Sequence, residues 1–186
     1  MSIPDADVES YSAPDMLSRE ISLPADRRPW RHIGLVERIW LQEQGQTNFK
    51  QRFLVLDGPA QLGKTTYAMD IKGALRTLSV QCNPYDLNLP SLQEFERSRH
   101  QAIVFNDAPC RLVLRHKPIF LAVPRTLHLP GSMSSWGYDI NLSRISIIIC
   151  TTNWAQEYHQ LAPEDQLWFN ENSVYVSVTR PLWCES

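Results

Sequence analysis

Gly58-Pro59-Ala60-Gln61-Leu62-Gly63-Lys64-Thr65 fits the pattern GxxxxGK[ST], and a second threonine, Thr66, follows. Residue types at this spacing suit a bound polyanion. Glycines let the backbone wrap closely around phosphate oxygens with N–H groups pointing inward, and a helix starting just beyond adds positive potential. Lys64 would reach the terminal phosphates and the Thr65 hydroxyl would ligate Mg²⁺. Gly58, Pro59, Gly63, Lys64, Thr65 and Thr66 are therefore the candidate nucleotide-binding residues, with ATP and Mg²⁺ as the expected ligand and cofactor. Two further polar residues close apolar runs. Asp107 is a candidate to hold Mg²⁺ or activate water, and Asn153 to orient the attack. Each also has a plain reading as a turn residue at a strand end.

The flanking elements decide whether such a loop can work. Arg52–Asp57 (RFLVLD) is a short apolar run bounded by glycine and predicts a buried strand. From Thr65 to Leu78, apolar residues recur at spacings of three and four, which predicts a helix. Strand, glycine loop and helix in that order are the context that gives the motif meaning. Further on, Leu78–Asn83 alternates as a strand does, and Pro90-Ser91 is expected to open a helix through Arg99. Gln101–Asp107 is a second apolar run. Ile119–Val123 and Thr126–Leu129 are expected to form a hairpin around Pro124. Arg144–Cys150 (RISIIIC) is the most β-branched run and should be a central strand ending at Thr151-Thr152-Asn153. A short helix near 163–170 and a last strand over 173–178 complete the order. Strands alternating with helices predict an α/β fold, a mostly parallel central sheet flanked by helices in three layers. Ligands of such sheets lie at the carboxyl ends of the strands, so Gly58–Thr66, Asp107 and Asn153 would meet at one edge.

Composition bounds the rest. The chain has 186 residues, 43% hydrophobic content and a formal net charge of −2, enough for one core and without a global basic field. Residues 1–26 are acidic and proline-interrupted, so residues 1–28 are read as a disordered or loosely docked tail and 29–186 as a single domain. Trp30 through Leu41 suggests an amphipathic helix, with Trp30 and Trp40 as packing anchors. Arginines cluster at 27, 28 and 31 and again between Arg111 and Arg125. Four cysteines show no CxxC pair, and reduced thiols are expected. The five histidines share no metal spacing, and no GxSxG motif appears. With no secretory pattern and no apolar stretch of spanning length, the expectation is a non-membrane protein inside the cell, cytoplasmic or nuclear.

GPAQLGKTT at 58–66, AIVFNDAP at 102–109 and ISIIICTTNW at 145–154 together resemble the ATPase domain of superfamily-three helicases. The likeness is greatest to the rolling-circle replication initiator (Rep) proteins of circular single-stranded DNA viruses, and it spans about residues 50–180. It implies a P-loop NTPase fold. By the resemblance, Gly58, Gly63, Lys64, Thr65 and Thr66 bind phosphates and Mg²⁺, Asp107 is the acid of the second motif, and Asn153 senses the γ-phosphate. It also implies a homo-oligomeric helicase-type motor on single-stranded DNA or RNA, with contacts from the Arg111–Arg125 region. The departures are specific. The usual pair of adjacent acids reads Asn106-Asp107, and no arginine follows Arg144 until Arg180. Residues 1–50 contain neither a paired-histidine nor a tyrosine nuclease motif. Two alternatives stay open: a nucleotide-binding relative that hydrolyses little and acts as a switch or scaffold, or a small-molecule kinase.

Overall fold

The computed structural model describes residues 30–31, 33–44, 46, 51–131 and 136–184. The expected tail at 1–28 lies outside them. In chain order the elements are helix α1 (Leu35–Glu43), strand β1 (Phe53–Asp57), helix α2 (Lys64–Asp70), strands β2 (Thr77–Gln81) and β3 (Ala102–Asn106), and helices α3 (Cys110–Arg115) and α4 (Lys117–Phe120). Strands β4 (Thr126–Leu129), β5 (Tyr138–Asn141) and β6 (Ser146–Thr151), helices α5 (Trp154–His159) and α6 (Pro163–Asn172), and strand β7 (Ser173–Ser177) follow.

Five strands form one parallel sheet in the order β2-β3-β6-β1-β7. Every residue of β1 and of β6 is buried, as continuous apolar runs with helices on both faces must be. Side chains alternate between faces with period two. Phe53, Val55, Ile103, Phe105, Ile147 and Ile149 point to a core completed by Leu112 of α3, Phe120 of α4, Trp154 of α5 and Phe169 of α6. Leu54, Leu56, Val104 and Ile148 face the opposite core with Trp40 of α1 and Tyr67 and Ala68 of α2. The result is a three-layer α/β architecture. Each fully buried Phe, Ile or Leu contributes about 1.5–3 kcal/mol.

Several expected elements differ. The helix after the loop ends at Asp70, and after Gly73 the chain turns once through a 3₁₀ segment, Ala74–Arg76, so that Leu78 lies in β2. No helix covers 90–99. That stretch offers one fully buried apolar residue, Leu92, while Ser91 Oγ and His100 Nδ1 accept backbone N–H groups of Gln93 and Glu96. Such local side-chain acceptors compete with helix formation. Ile119–Val123 is not a strand either: Pro118 in the first turn starts α4, and Ile119 and Phe120 pack into the core. The expected hairpin around Pro124 therefore does not form; β4 pairs antiparallel with the following strand, β5. Trp30 lies ahead of α1, in an isolated antiparallel bridge to Trp183, whereas Trp40 is fully buried and donates Nε1–H to Arg52 O at 2.8 Å. Cys82, Cys110, Cys150 and Cys184 are all unpaired thiols.

Candidate functional site at the sheet edge

Register brings the chemistry together. β6 pairs with β1 on one side and β3 on the other, aligning Asp57 with Thr151 and Asn106 with Cys150, while Gln81 of β2 aligns with Asn106. A row of strand-end residues therefore faces the loop that leaves β1. A cavity of about 390 Å³ opens there, walled by Gly63, Lys64, Thr65 and Thr66 from the loop and α2, and by Asn106, Asp107, Thr151 and Thr152 from the strand ends.

The loop's shape explains its glycines. At Gly58 a Cβ would lie 2.0 Å from Val178 O, so the chain following β7 passes too close for any side chain. At Gly63 the backbone is left-handed, with φ of 78°, and a Cβ would lie 2.8 Å from the Trp183 ring. Gln61 also adopts positive φ, 64°, without being glycine. Held strain of this kind concentrates at ligand sites.

Lys64 is buried, and its Nζ donates to Gly58 O at 2.7 Å and Pro59 O at 2.6 Å. Burial pushes its pKa down; the Cys150 sulfur and the carboxylates of Asp57 and Asp107 act in the opposite direction. An anion in the cavity would offer the ammonium a better partner than two carbonyls.

Thr65 Oγ1 donates to Asn106 Oδ1 at 2.7 Å, and Asn106 Nδ2 donates to Ser79 Oγ at 2.9 Å. Asp107, expected beside Thr65 as the metal-side acid, sits one residue further on. It has positive φ (56°), its N–H donates to Cys150 O at 2.8 Å, and its Oδ2 accepts Gln81 Nε2 at 2.9 Å. It still lines the cavity. Asn153 is exposed and sits at the N-cap position of α5, one residue beyond the wall-forming Thr152. The structure thus brings together Gly63, Lys64, Thr65, Thr66 and Asp107, with Gly58 and Pro59 behind the loop, and leaves Asn153 outside the wall.

Four residues escaped the sequence reading. In the sequence Asn106 reads only as a missing acid, although it is the partner of Thr65. Ser79 and Gln81 orient Asn106 and Asp107 from the neighbouring strand, and nothing in a linear sequence marks such cross-strand contacts. Asp57 had a visible signal, an acid closing a wholly apolar strand. It is buried, and its two oxygens accept Trp154 N at 3.2 Å and Ala155 N at 3.1 Å, with the Tyr175 hydroxyl at 3.1 Å.

The donor set suits a hard cation. Thr65 Oγ1, Asn106 Oδ1 and the Asp107 carboxylate are all oxygens at one cavity, and Mg²⁺ typically takes one or two such groups and completes its shell with water and phosphate. Among the described residues, no group of three or more His, Cys, Asp or Glu forms an all-protein metal cage, and no helix is long and apolar enough to cross a membrane.

Against known proteins, the chain matches no family model and no curated sequence.

Proposed function

We propose that this chain is a P-loop nucleoside-triphosphate-binding domain, spanning about residues 29–186, that hydrolyses ATP slowly with Mg²⁺ as the moving part of a helicase-type motor. The observation that carries the reading is the convergence, at one strand-end cavity, of the Gly58–Thr66 loop, the buried Lys64 ammonium and the Thr65–Asn106 oxygen pair. Loop N–H groups and Lys64 bind the β- and γ-phosphates, and Lys64 exchanges its two carbonyl partners for phosphate oxygens. Thr65 and Asn106 would hold Mg²⁺, which supplies charge neutralisation on the phosphates. Among the described residues Asp107 is the one carboxylate lining the cavity, and it accepts the proton of the attacking water, held in position by Gln81. An amide where the resemblance implies an acid makes the site a weak hydrolase.

The nucleic-acid part rests on the β4–β5 hairpin. Trp136, in its connecting segment, is 92% exposed, Arg125 is exposed just before β4, and Arg111 and Arg115 line the exposed side of α3. An exposed aromatic suits stacking on the bases of a single strand, and exposed guanidinium groups suit contact with its phosphates. Assembly into a homo-oligomer is part of the proposal through the family resemblance.

A second reading has its own support. Asn106 cannot carry the charge of the missing acid, which favours a domain that binds nucleotide as a switch. Steady-state ATP hydrolysis with and without single-stranded DNA, on wild type and Lys64→Ala, separates the two. DNA-stimulated turnover abolished in Lys64→Ala supports the motor. Absent turnover, with nucleotide-dependent thermal stabilisation that Lys64→Ala removes, replaces it with the switch.

A further inference from the structure

Beside the phosphate loop lies a larger and more apolar cavity, about 600 Å³, between α1 and α2. Its size falls within the ordinary range for small-molecule sites, which pair apolar walls with a few convergent polar groups. Leu41, Tyr67 and Ile71 supply apolar wall, and Trp30 closes one side. The polar groups divide into two kinds. Glu37 is already satisfied: its Oε1 accepts the Tyr67 hydroxyl and its Oε2 accepts Ile33 N at 3.0 Å. Asp70 is exposed and its Oδ2 accepts Trp30 Nε1 at 2.6 Å, which leaves the carboxylate with spare acceptor capacity. Arg38 adds an exposed guanidinium at the rim.

Trp30 stands between this cavity and the Gly58–Thr66 loop. One edge of its ring, Cζ3, lies 3.7 Å from the position a Cβ would take at Gly63. The same indole reaches Asp70 through Nε1 and packs edge-on against Tyr67, with centroids 5.6 Å apart. Its ring therefore borders both the first residue before α2 and the last residue of that helix. Along α2 this distance is about 10 Å at 1.5 Å per residue. That is the order of separation between the phosphates of a nucleotide and its base.

We propose that the α1–α2 cavity is the base site for the nucleotide whose phosphates occupy the loop, and that its occupant is a purine ring. The inference rests on the phosphate-loop reading above and adds the base to it. The flat ring lies between Trp30 and the aliphatic wall of Leu41 and Ile71, and Asp70 accepts from a ring-edge amino or N–H group. Base recognition then falls to the segment preceding β1 and not to the strand ends, so the phosphate and base subsites are separable by mutation.

Separability sets the test. Affinities of Mg²⁺-ATP and Mg²⁺-tripolyphosphate are measured by titration calorimetry on wild type and on Leu41→Trp, which fills the cavity without touching the loop. Wild type should bind ATP at least about tenfold tighter than tripolyphosphate. In Leu41→Trp the ATP affinity should drop to the tripolyphosphate level while tripolyphosphate binding stays unchanged. Equal wild-type affinities overturn the base site and leave the phosphate loop standing, as does an ATP preference that survives Leu41→Trp. Binding of neither ligand overturns the phosphate-loop reading and the base site with it. If Leu41→Trp misfolds, Ile71→Trp takes its place, and the wild-type comparison already decides against the proposal if the two ligands bind alike.

Discussion

In the proposed site Asn106 sets how strongly the cavity draws a cation. Its Oδ1 meets Thr65 Oγ1 at 2.7 Å, at the point where a carboxylate would draw a divalent cation more strongly. Asn106→Asp keeps the shape, and Ser79 Oγ can rotate its proton to donate to the new carboxylate. The expected outcome is a roughly tenfold lower Mg²⁺ concentration for half-maximal ATP hydrolysis, with a higher turnover number. Hydrolysis assayed across a Mg²⁺ series checks this, and an unchanged midpoint would detach Asn106 from the metal. Lys64 carries a second prediction. Burial lowers its pKa below the usual 10.5, so its ammonium begins to deprotonate at a lower pH than a solvated lysine would. In the proposed site the charged form is the one that binds phosphate. ATP affinity should therefore weaken as pH rises toward 10.5, starting below it, and binding within that window should take up protons. Calorimetry in buffers of different ionisation enthalpy measures that uptake directly; zero uptake across the alkaline range would count against Lys64 as the phosphate ligand.

At the scale of elements, the sheet edge is held by contacts remote in sequence. Asp57 closes β1, yet its oxygens cap the first N–H groups of α5, 97 and 98 residues later, and it also holds the Tyr175 hydroxyl of β7. A carboxylate at a helix N-terminus satisfies orphan donors and favours the helix dipole. Asn153, the residue at the N-cap position itself, makes no side-chain cap. Asp57→Ala removes the acceptor of three donors, one of them buried and two part-buried, and should cost about 1–3 kcal/mol. Asp57→Asn keeps one acceptor and should cost less. Urea denaturation of both variants measures the difference, and equal losses would point to packing in place of capping. The same remoteness explains what the sequence could disclose. β1, β3 and β6 were legible because buried central strands read as unbroken apolar runs, and α2 because it follows a glycine loop. Helices α3, α4 and α5 have four to six residues, too few for a periodic pattern to stand out. Pro90–Arg99 carried a helix start signal with no apolar stripe behind it, and the stripe decides. Likewise β4 was visible, but its partner lies beyond a segment of eight residues that no turn motif near Pro124 could reveal.

For the whole molecule, the two ends of the described chain meet over the Gly58–Thr66 loop and limit how far it can relax. Val178 N donates to Asp57 O at 2.6 Å, Leu182 N donates to Leu62 O at 3.0 Å, and Arg31 N donates to Leu182 O at 2.6 Å. Leu182 is buried, and the Trp183 ring covers the outer side of Gly63. The loop is thus sandwiched between the sheet edge and a strap formed by the segments around Trp30 and Leu182. A loop whose Gln61 holds a left-handed conformation needs such support, because residues at positive φ persist only where the surroundings over-determine them. Preorganisation lowers the ordering cost of binding. Ending the chain after Arg180 removes both Leu182 and Trp183 while leaving all five sheet strands intact. The expected result is a cooperative fold with a melting temperature lower by several degrees, consistent with losing about 2–3 kcal/mol of buried apolar packing. Tripolyphosphate affinity should fall about tenfold in the same variant, since the loop must then pay its own ordering entropy. Because tripolyphosphate has no base, this loss isolates the strap's effect on the loop from any effect on the α1–α2 cavity. Unchanged tripolyphosphate affinity in a folded truncation would mean that the loop holds its shape through Gly58, Lys64 and the sheet edge alone.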